Sequence, residues 1–327
     1  VVTVVTVGLD TILGHLATIG WWFALVIGLE VLITACDAAA LAQFLASDGR
    51  SRVVSYGRVL IAQVAGRAIN AVTPGGNLGE VTKVTMLLDH AALPRVVAAV
   101  LRYNVVVLLL SLLTIAVGGA ITALVLELPR SIATALYVGA AVSVLVAGGL
   151  VWLVRRGLAR SFVALAGWLR ILSRKRRARW KQTLEDIDAR LLPRHLPAGS
   201  KRRARLRARL GGGVAWVLVS RALSWTSLWI LLAAAGEVVS LGFLAAIVSA
   251  GVLIGWIASV VPMGLGISES GNYALFAGLG VDPALGVTIV IARRVTTVLY
   301  AALGLVMIAT SATVDRTRRA RRRRHRA

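Results

Sequence analysis

Two stretches decide how this chain folds: Val72-Thr73-Pro74-Gly75-Gly76-Asn77-Leu78-Gly79-Glu80 and Val261-Pro262-Met263-Gly264-Leu265-Gly266-Ile267-Ser268-Glu269. Each sets Pro and Gly in the middle of an apolar segment and follows with a Glu six or seven residues after the Pro. Pro and Gly remove helical hydrogen bonds that lipid cannot replace, so such stretches belong inside protein or along a wet cavity. The broken segments around them, 55–90 and 241–282, therefore read as re-entrant helical hairpins, each dipping into a membrane and returning to its own side. The first also carries Arg58, Arg67 and Asn70, the second Asn272.

Working outward, the flanking sequence is that of an all-α polytopic integral membrane protein. Of 327 residues 58% are apolar and only 16% charged, with a mean hydropathy of +0.81, which excludes an ordinary soluble domain. Apolar windows at 21–46, 94–126, 129–154, 211–235 and 283–312 each exceed the ~20 residues that a spanning helix needs. The opening run Val1 to Val7 is too short to span and reads as the end of a truncated first helix, continued by an outer interfacial segment to residue 20.

Charge sets the orientation. Residues 155–210 hold 18 Lys and Arg against Glu185, Asp186 and Asp188, and residues 315–327 hold eight Arg against Asp315. These two segments carry 26 of the 37 basic residues, so the formal +23 is local and the remaining body is nearly neutral. With both on the cytoplasmic side of a plasma membrane and both hairpins re-entrant, the outer turns hold Asp10, Glu127, Arg130, Glu237 and Asp282. A full crossing by either hairpin would put a basic segment outside, against the positive-inside rule. The runs flank apolar spans and lack any recognition-helix or zinc pattern, so nucleic acid is not an expected partner.

The same arrangement yields an inverted-topology repeat. The first half, 21–154, contains helix, hairpin and helix, then a further span; the second half, 211–312, contains the same three elements upside down. Paired interrupted segments in corresponding positions mark a transporter's midplane site. Between the halves, Trp180, Leu184, Ile187 and Leu191 recur at helical spacing in the basic insert 155–210. That amphipathic helix has three possible settings: on the anionic inner leaflet, against the bundle, or as a solvated connector. The Arg-rich tail 313–327 is expected on the cytoplasmic side, with Arg321 to Arg326 as a disordered anchor facing the leaflet.

Ionisable groups inside the spans carry the functional signal, because a charged residue at a helix centre costs ~2.5–3.5 kcal/mol on insertion scales. Arg221 stands ten positions after Gly211, Arg293 ten after Pro283 with Arg294 beside it, and Arg102 occupies a comparable place after Pro94. Glu30, Asp37 and Glu80 lie in the first half and Glu269 in the second. One reading has these arginines converge with the hairpin tips on a lipid phosphate, which suits the planar guanidinium fork. The other has them pair with acids as buried salt bridges: Arg221 with Glu30 or Glu269, and Arg294 with Glu80. His15, His90, His195 and His325 are scattered without metal-ligand spacing, and no P-loop, Rossmann or Gly-x-Ser-x-Gly motif is present. No cofactor and no enzymatic activity are expected.

On these residues the chain resembles the lysylphosphatidylglycerol synthase transmembrane-region, or flippase-like, family, over nearly the whole span from Gly8 to Ala309. The resemblance is carried by Asn70 before Pro74-Gly75-Gly76-Asn77-Leu78-Gly79-Glu80 with Lys83 following, by Pro262, Gly264, Gly266 and Glu269, and by Arg293 or Arg294 before Gly304. Gly76, where the family often has Arg, and Met263-Gly264, where it usually has Pro-Gly-Gly, depart from the pattern. The resemblance implies movement of an anionic or phosphate-bearing (amino)phospholipid, aminoacylated phosphatidylglycerol included, or of a polyprenyl-type lipid between leaflets, with membrane lipids as partners and no aminoacyl-transferring domain. Together with the buried arginines it nominates Arg67, Asn70, Pro74, Gly75, Gly76, Gly79, Glu80, Lys83, Arg221, Pro262, Gly264, Gly266, Glu269, Arg293 and Arg294 as lipid-binding residues. The alternative expectation is a non-transporting subunit that presents a lipid to a glycosyltransferase or other lipid-modifying enzyme.

Overall fold

A computed structural model describes residues 14, 18, 20–46, 54–73, 78–126, 130–157, 174–191, 200–261 and 264–324. Among them there is no strand. The helices are α1 (Trp22–Ala46), α2 (Tyr56–Val72), α3 (Leu78–Leu88), α4 (Leu93–Val125), α5 (Arg130–Arg156), α6 (Arg174–Leu191), α7 (Lys201–Ala234), α8 (Leu241–Ala258), α9 (Ile267–Gly278) and α10 (Pro283–Arg324). Their starts are written locally. Ser200 and Ser240 accept hydrogen bonds from the backbone N–H of Arg203 (3.2 Å) and Phe243 (3.1 Å), and Asp282 accepts from Ala284 N–H at 2.9 Å. Such side chains satisfy the orphan donors of a first turn.

Among the described residues six helices are long and apolar enough to cross a membrane: α1, α4, Leu136–Arg156 of α5, α7, α8 and Pro283–Met307 of α10. The chain is a polytopic membrane protein. Four of these correspond to apolar windows read from the sequence with ends moved by at most two residues, or by a tail; α7 instead starts ten residues earlier, so Lys201 to Leu210 is its first part rather than the end of a separate insert. α8 is a difference of another kind. The sequence reading makes it one arm of a re-entrant hairpin, yet its 18 largely apolar residues reach ~27 Å, close to a bilayer core. Its partner α9, with 12 residues, and α2 and α3, with 17 and 11, are not among the candidate spans.

The bundle is organised by α1 and α7, which run antiparallel: Phe44 lies against Gly213 at one end, Ser220 against Asp37 in the middle, and Val26 joins Leu228 and Leu231 at the other. Gly213 is required there, since a Cβ would enter the Phe44 ring. One apolar core gathers Leu41, Phe44 and Leu45 of α1 with Val59, Leu87, Val96 and Val217. The other gathers Leu231 and Leu232 of α7 with Phe243, Phe276, Leu285 and Ile289. Exchanging α1 with α7, α2 with α8, α3 with α9 and α4 with α10 maps most of the packing onto itself. The α2–α3, α3–α4 and α2–α10 contacts become α8–α9, α9–α10 and α8–α4. α1 departs from this exchange by touching α2 and α4 more extensively than α7 touches α8 and α10.

Outside this frame, α5 packs on α4 and leaves nearly all its span facing outward. α6 sets Ile187 and Leu191, with Leu184, against Ala98 of α4, which selects packing on the bundle among the three settings open to the insert; the Trp180 and Lys181 side chains lie outside the described residues. The tail differs from expectation as well, because α10 runs unbroken to Arg324 instead of becoming a disordered anchor. Arg is a strong helix former, and here it extends a helix already nucleated.

Arginines close the C-terminal end of α1. Arg95 Nε donates to the Leu45 carbonyl at 2.8 Å, Arg102 Nη1 to the Phe44 carbonyl at 3.2 Å, and Arg209 to the Ala46 carbonyl. Arg102 Nε reaches the Leu191 carbonyl at the end of α6, at 3.4 Å. Cations belong at helix C-termini, where carbonyls lack partners. Arg102, grouped with the deep arginines by its distance from Pro94, is thus a structural tie between α1, α4 and α6. Substituting Arg102→Leu removes two charge-assisted bonds, each worth about 1.5–3 kcal/mol. The expected result is a lower midpoint in thermal unfolding in detergent and faster proteolysis of the α6 region.

Candidate functional site

The first hairpin is a closed polar network. Asn70 Oδ1 accepts from the Gly79 N–H at 2.6 Å, which joins the end of α2 to the start of α3. Gly79 and Gly66 let these two helices touch: a Cβ on Gly79 would strike the Gly66 carbonyl, and one on Gly66 would strike the Lys83 side chain. Glu80 pairs with Lys83 at 2.8 Å and accepts from Asn104 of α4 at 2.9 Å and from Asn70 at 3.5 Å. Lys83 is buried, with its ammonium 5.3 Å from the Tyr103 ring centre. Asn70, Gly79, Glu80 and Lys83 therefore spend their polar groups on one another. Pro74, Gly75, Gly76 and Asn77 lie outside the described residues.

The second hairpin uses the same device. Gly264 and Gly266 hold φ values of 65° and 85°, in the left-handed region that glycine enters freely. Glu269 Oε2 accepts from the Gly266 N–H at 2.9 Å, and its Oε1 pairs with Arg294 of α10. In both halves, then, a Glu in the first turn of the hairpin's second arm grips the helix that follows. Pro262 and Met263 lie outside the described residues.

Both hairpins lean on α10. A Cβ on Gly304 would meet Ala68 and the Val64 carbonyl of α2, and one on Gly286 would meet Asn272 and Phe276 of α9. Arg67 reaches from α2 to Glu30 of α1 at 2.9 Å, donates to Thr34 Oγ1, and lies 5.6 Å from the centre of the Tyr300 ring of α10. Arg221 of α7 pairs with Asp37 of α1 at 3.5 Å, while Ser220 donates to the same carboxylate at 2.7 Å. The acid–base partners are thus other than those expected: Arg221 with Asp37 rather than Glu30 or Glu269, and Arg294 with Glu269 rather than Glu80. Asp37 wins because antiparallel α1 and α7 bring those two levels together, and Glu269 because α9 packs directly on α10.

Arg293 stands apart. Among the described residues its side chain makes no hydrogen bond and no close ion pair, although it sits ten residues into α10 and shares a cavity with Glu30. It lines three adjoining cavities. One, about 190 Å³, lies between α4, α7, α8, α9 and α10 and is also lined by Arg221, Ser224 and Asn272. A second, about 230 Å³, reaches Ser268 and Arg294; a third, about 170 Å³, reaches Glu30, Arg67 and Tyr300. A fourth cavity of about 530 Å³ is almost wholly apolar, runs between α4, α7 and α8, and meets the first at Thr114, Arg221, Trp225 and Val248. The Nε of Arg221 is buried without a hydrogen-bond partner among the described residues.

The family model for the lysylphosphatidylglycerol synthase TM region matches residues 1–304. The chain belongs to that family. No curated protein and no solved structure matches it. Within this member of the lysylphosphatidylglycerol synthase TM region family, the nominated residues fall into two groups. Asn70, Gly79, Glu80, Lys83, Gly264, Gly266 and Glu269 shape and brace the hairpins, whereas Arg67, Arg221, Arg293 and Arg294 line cavities. Sequence reasoning passed over Asn104, Tyr300, Ser224 and Thr114. Asn104 had a usable signal, since it stands ten residues after Pro94 as Arg293 stands ten after Pro283.

The Asp37–Arg221 pair can be weighed by a double-substitution cycle. Removing one partner of a buried pair leaves an uncompensated charge, whereas removing both does not. With Arg221 partly open to its cavity, Asp37→Ala is expected to cost about 1–3 kcal/mol. Asp37→Ala combined with Arg221→Leu should unfold closer to wild type than Asp37→Ala alone, as read by thermal midpoints of the purified chain.

Proposed function

We propose that this chain is a flippase-like lipid transporter, built as an inverted repeat with two re-entrant hairpins, that moves an anionic or phosphate-bearing lipid between leaflets. One observation carries the reading: an apolar groove between α4, α7 and α8 joins, at Arg221, a polar cavity that also holds Arg293. An amphiphile has those two needs side by side. Its chain requires a path that stays apolar and opens sideways between helices, and its phosphate requires donors arranged as a fork. A site for a small soluble anion has no use for the groove.

The repeat is supported by the exchange of packing between the halves and by the antiparallel α1–α7 pair at its centre. Transporters of this design bind at the repeat interface, beside interrupted helices. Rocking of one half against the other around Arg221 and Arg293 would re-expose the headgroup on the opposite side. In this reading residues 21–154 and 211–312 are the two membrane halves, and the basic insert 155–210 and the tail 313–327 face the cytoplasm and the anionic inner leaflet of a cell membrane. The chain acts without a cofactor and without catalysing a reaction.

The test is transbilayer movement of chain-labelled phosphatidylglycerol in vesicles reconstituted with the full chain. Wild type should move the lipid faster than empty vesicles. Val248→Trp, which fills the threshold between groove and cavity, should bring the rate back towards that of empty vesicles while the protein stays monodisperse. Lipid bound at the site without movement would replace transport with presentation to a partner enzyme. Absence of both binding and movement would remove the lipid role.

A further inference from the structure

Charge in the linked cavities is unequally matched. Four arginines, Arg67, Arg221, Arg293 and Arg294, line them. Among the described residues three carboxylates face these four: Glu30 on Arg67, Asp37 on Arg221 and Glu269 on Arg294. Each carboxylate is already held by a guanidinium; Asp37 also accepts from Ser220 and Glu269 from the Gly266 N–H, while the hydroxyl of Thr34 accepts from Arg67 beside Glu30. Arg293 is left without a carboxylate of its own, since the Glu30 that shares a cavity with it is paired with Arg67.

From this we infer that the site selects a lipid whose headgroup carries a net negative charge, a phosphate diester without an added cation, and rejects cationic aminoacylated headgroups. The inference rests on the lipid-handling reading above and narrows its substrate class. A phosphate diester supplies the one negative charge that Arg293 lacks, and its two free oxygens suit the donor fork of that guanidinium. Ser224 and Asn272, on the same cavity, add neutral polar contacts for a hydroxylated head. Among the described residues an aminoacyl group with a protonated amine finds no carboxylate that is not already paired with an arginine. Bringing it in would set a second positive charge beside Arg293 in a place of low dielectric, where like charges repel far more than in water. Taking Glu30, Asp37 or Glu269 as its partner would strand Arg67, Arg221 or Arg294.

The experiment is competition in mixed micelles between a chain-labelled phosphatidylglycerol bound to the full-length chain and unlabelled lipids of three head charges: phosphatidylglycerol, phosphatidylcholine and lysyl-phosphatidylglycerol. The expected order is displacement by phosphatidylglycerol at a mole fraction about tenfold lower than by lysyl-phosphatidylglycerol, the size of one charge-assisted contact. Arg293→Gln should weaken phosphatidylglycerol by about the same factor and bring the three lipids close together, and Arg293→Glu should favour the lysyl lipid. Equal or tighter binding of lysyl-phosphatidylglycerol to the wild-type chain overturns the charge inference and leaves a lipid site standing. No saturable binding of any of the three lipids overturns the lipid reading itself. The wild-type comparison decides the matter even where an Arg293 variant does not fold.

Discussion

A guanidinium within a membrane protein must be answered, and the structure is arranged around the answers. Arg67, Arg221 and Arg294 are each met by a carboxylate from a different helix, and Arg95, Arg102 and Arg209 by the carbonyls at the end of α1. Every one of these contacts ties two or three helices together. Apolar packing between helices is only weakly selective in lipid, since lipid tails are as apolar as Leu. Polar pairs and small residues consequently fix which helices adjoin. Asp37–Arg221 sets the register of α1 on α7, Glu30–Arg67 draws the first hairpin to α1, and Glu269–Arg294 holds the second hairpin to α10.

Against that background, glycine plays the complementary part of allowing close approach. Gly66 and Gly79 bring α2 and α3 into contact, Gly213 admits Phe44, and Gly286 and Gly304 seat α9 and α2 on α10. The cavities lie along the side of α10 that these contacts leave open, which is why Arg293 lines three of them.

Much of this was legible in the sequence, and for physical reasons. Apolar length reveals spans because the bilayer demands it, so α1, α4 and α5 were bounded to within two residues. Prolines 94 and 283 marked helix starts because a missing N–H costs nothing there. Arg67, Arg221, Arg293 and Arg294 stood out because charge in an apolar window is costly. Partners were another matter. A sequence gives each Arg a depth only along its own helix, so Arg102 looked like a midplane residue when it lies beside the ends of α1 and α6. Asp37 was visible as an acid, but its match with Arg221 needs the antiparallel register of two helices far apart in the chain. The junction of groove and cavity at Thr114, Arg221, Trp225 and Val248 draws on three helices and has no one-dimensional signature.

The neighbouring positions of Arg293 and Arg294 give the ion pair at Glu269 a reach beyond its own contact. Successive residues on an α-helix leave its axis about 100° apart. With Arg294 clamped to Glu269, the rotational phase of α10 is locked, and the azimuth at which Arg293 departs is locked with it. The pair works as an angular key: the bound arginine aims the unbound one.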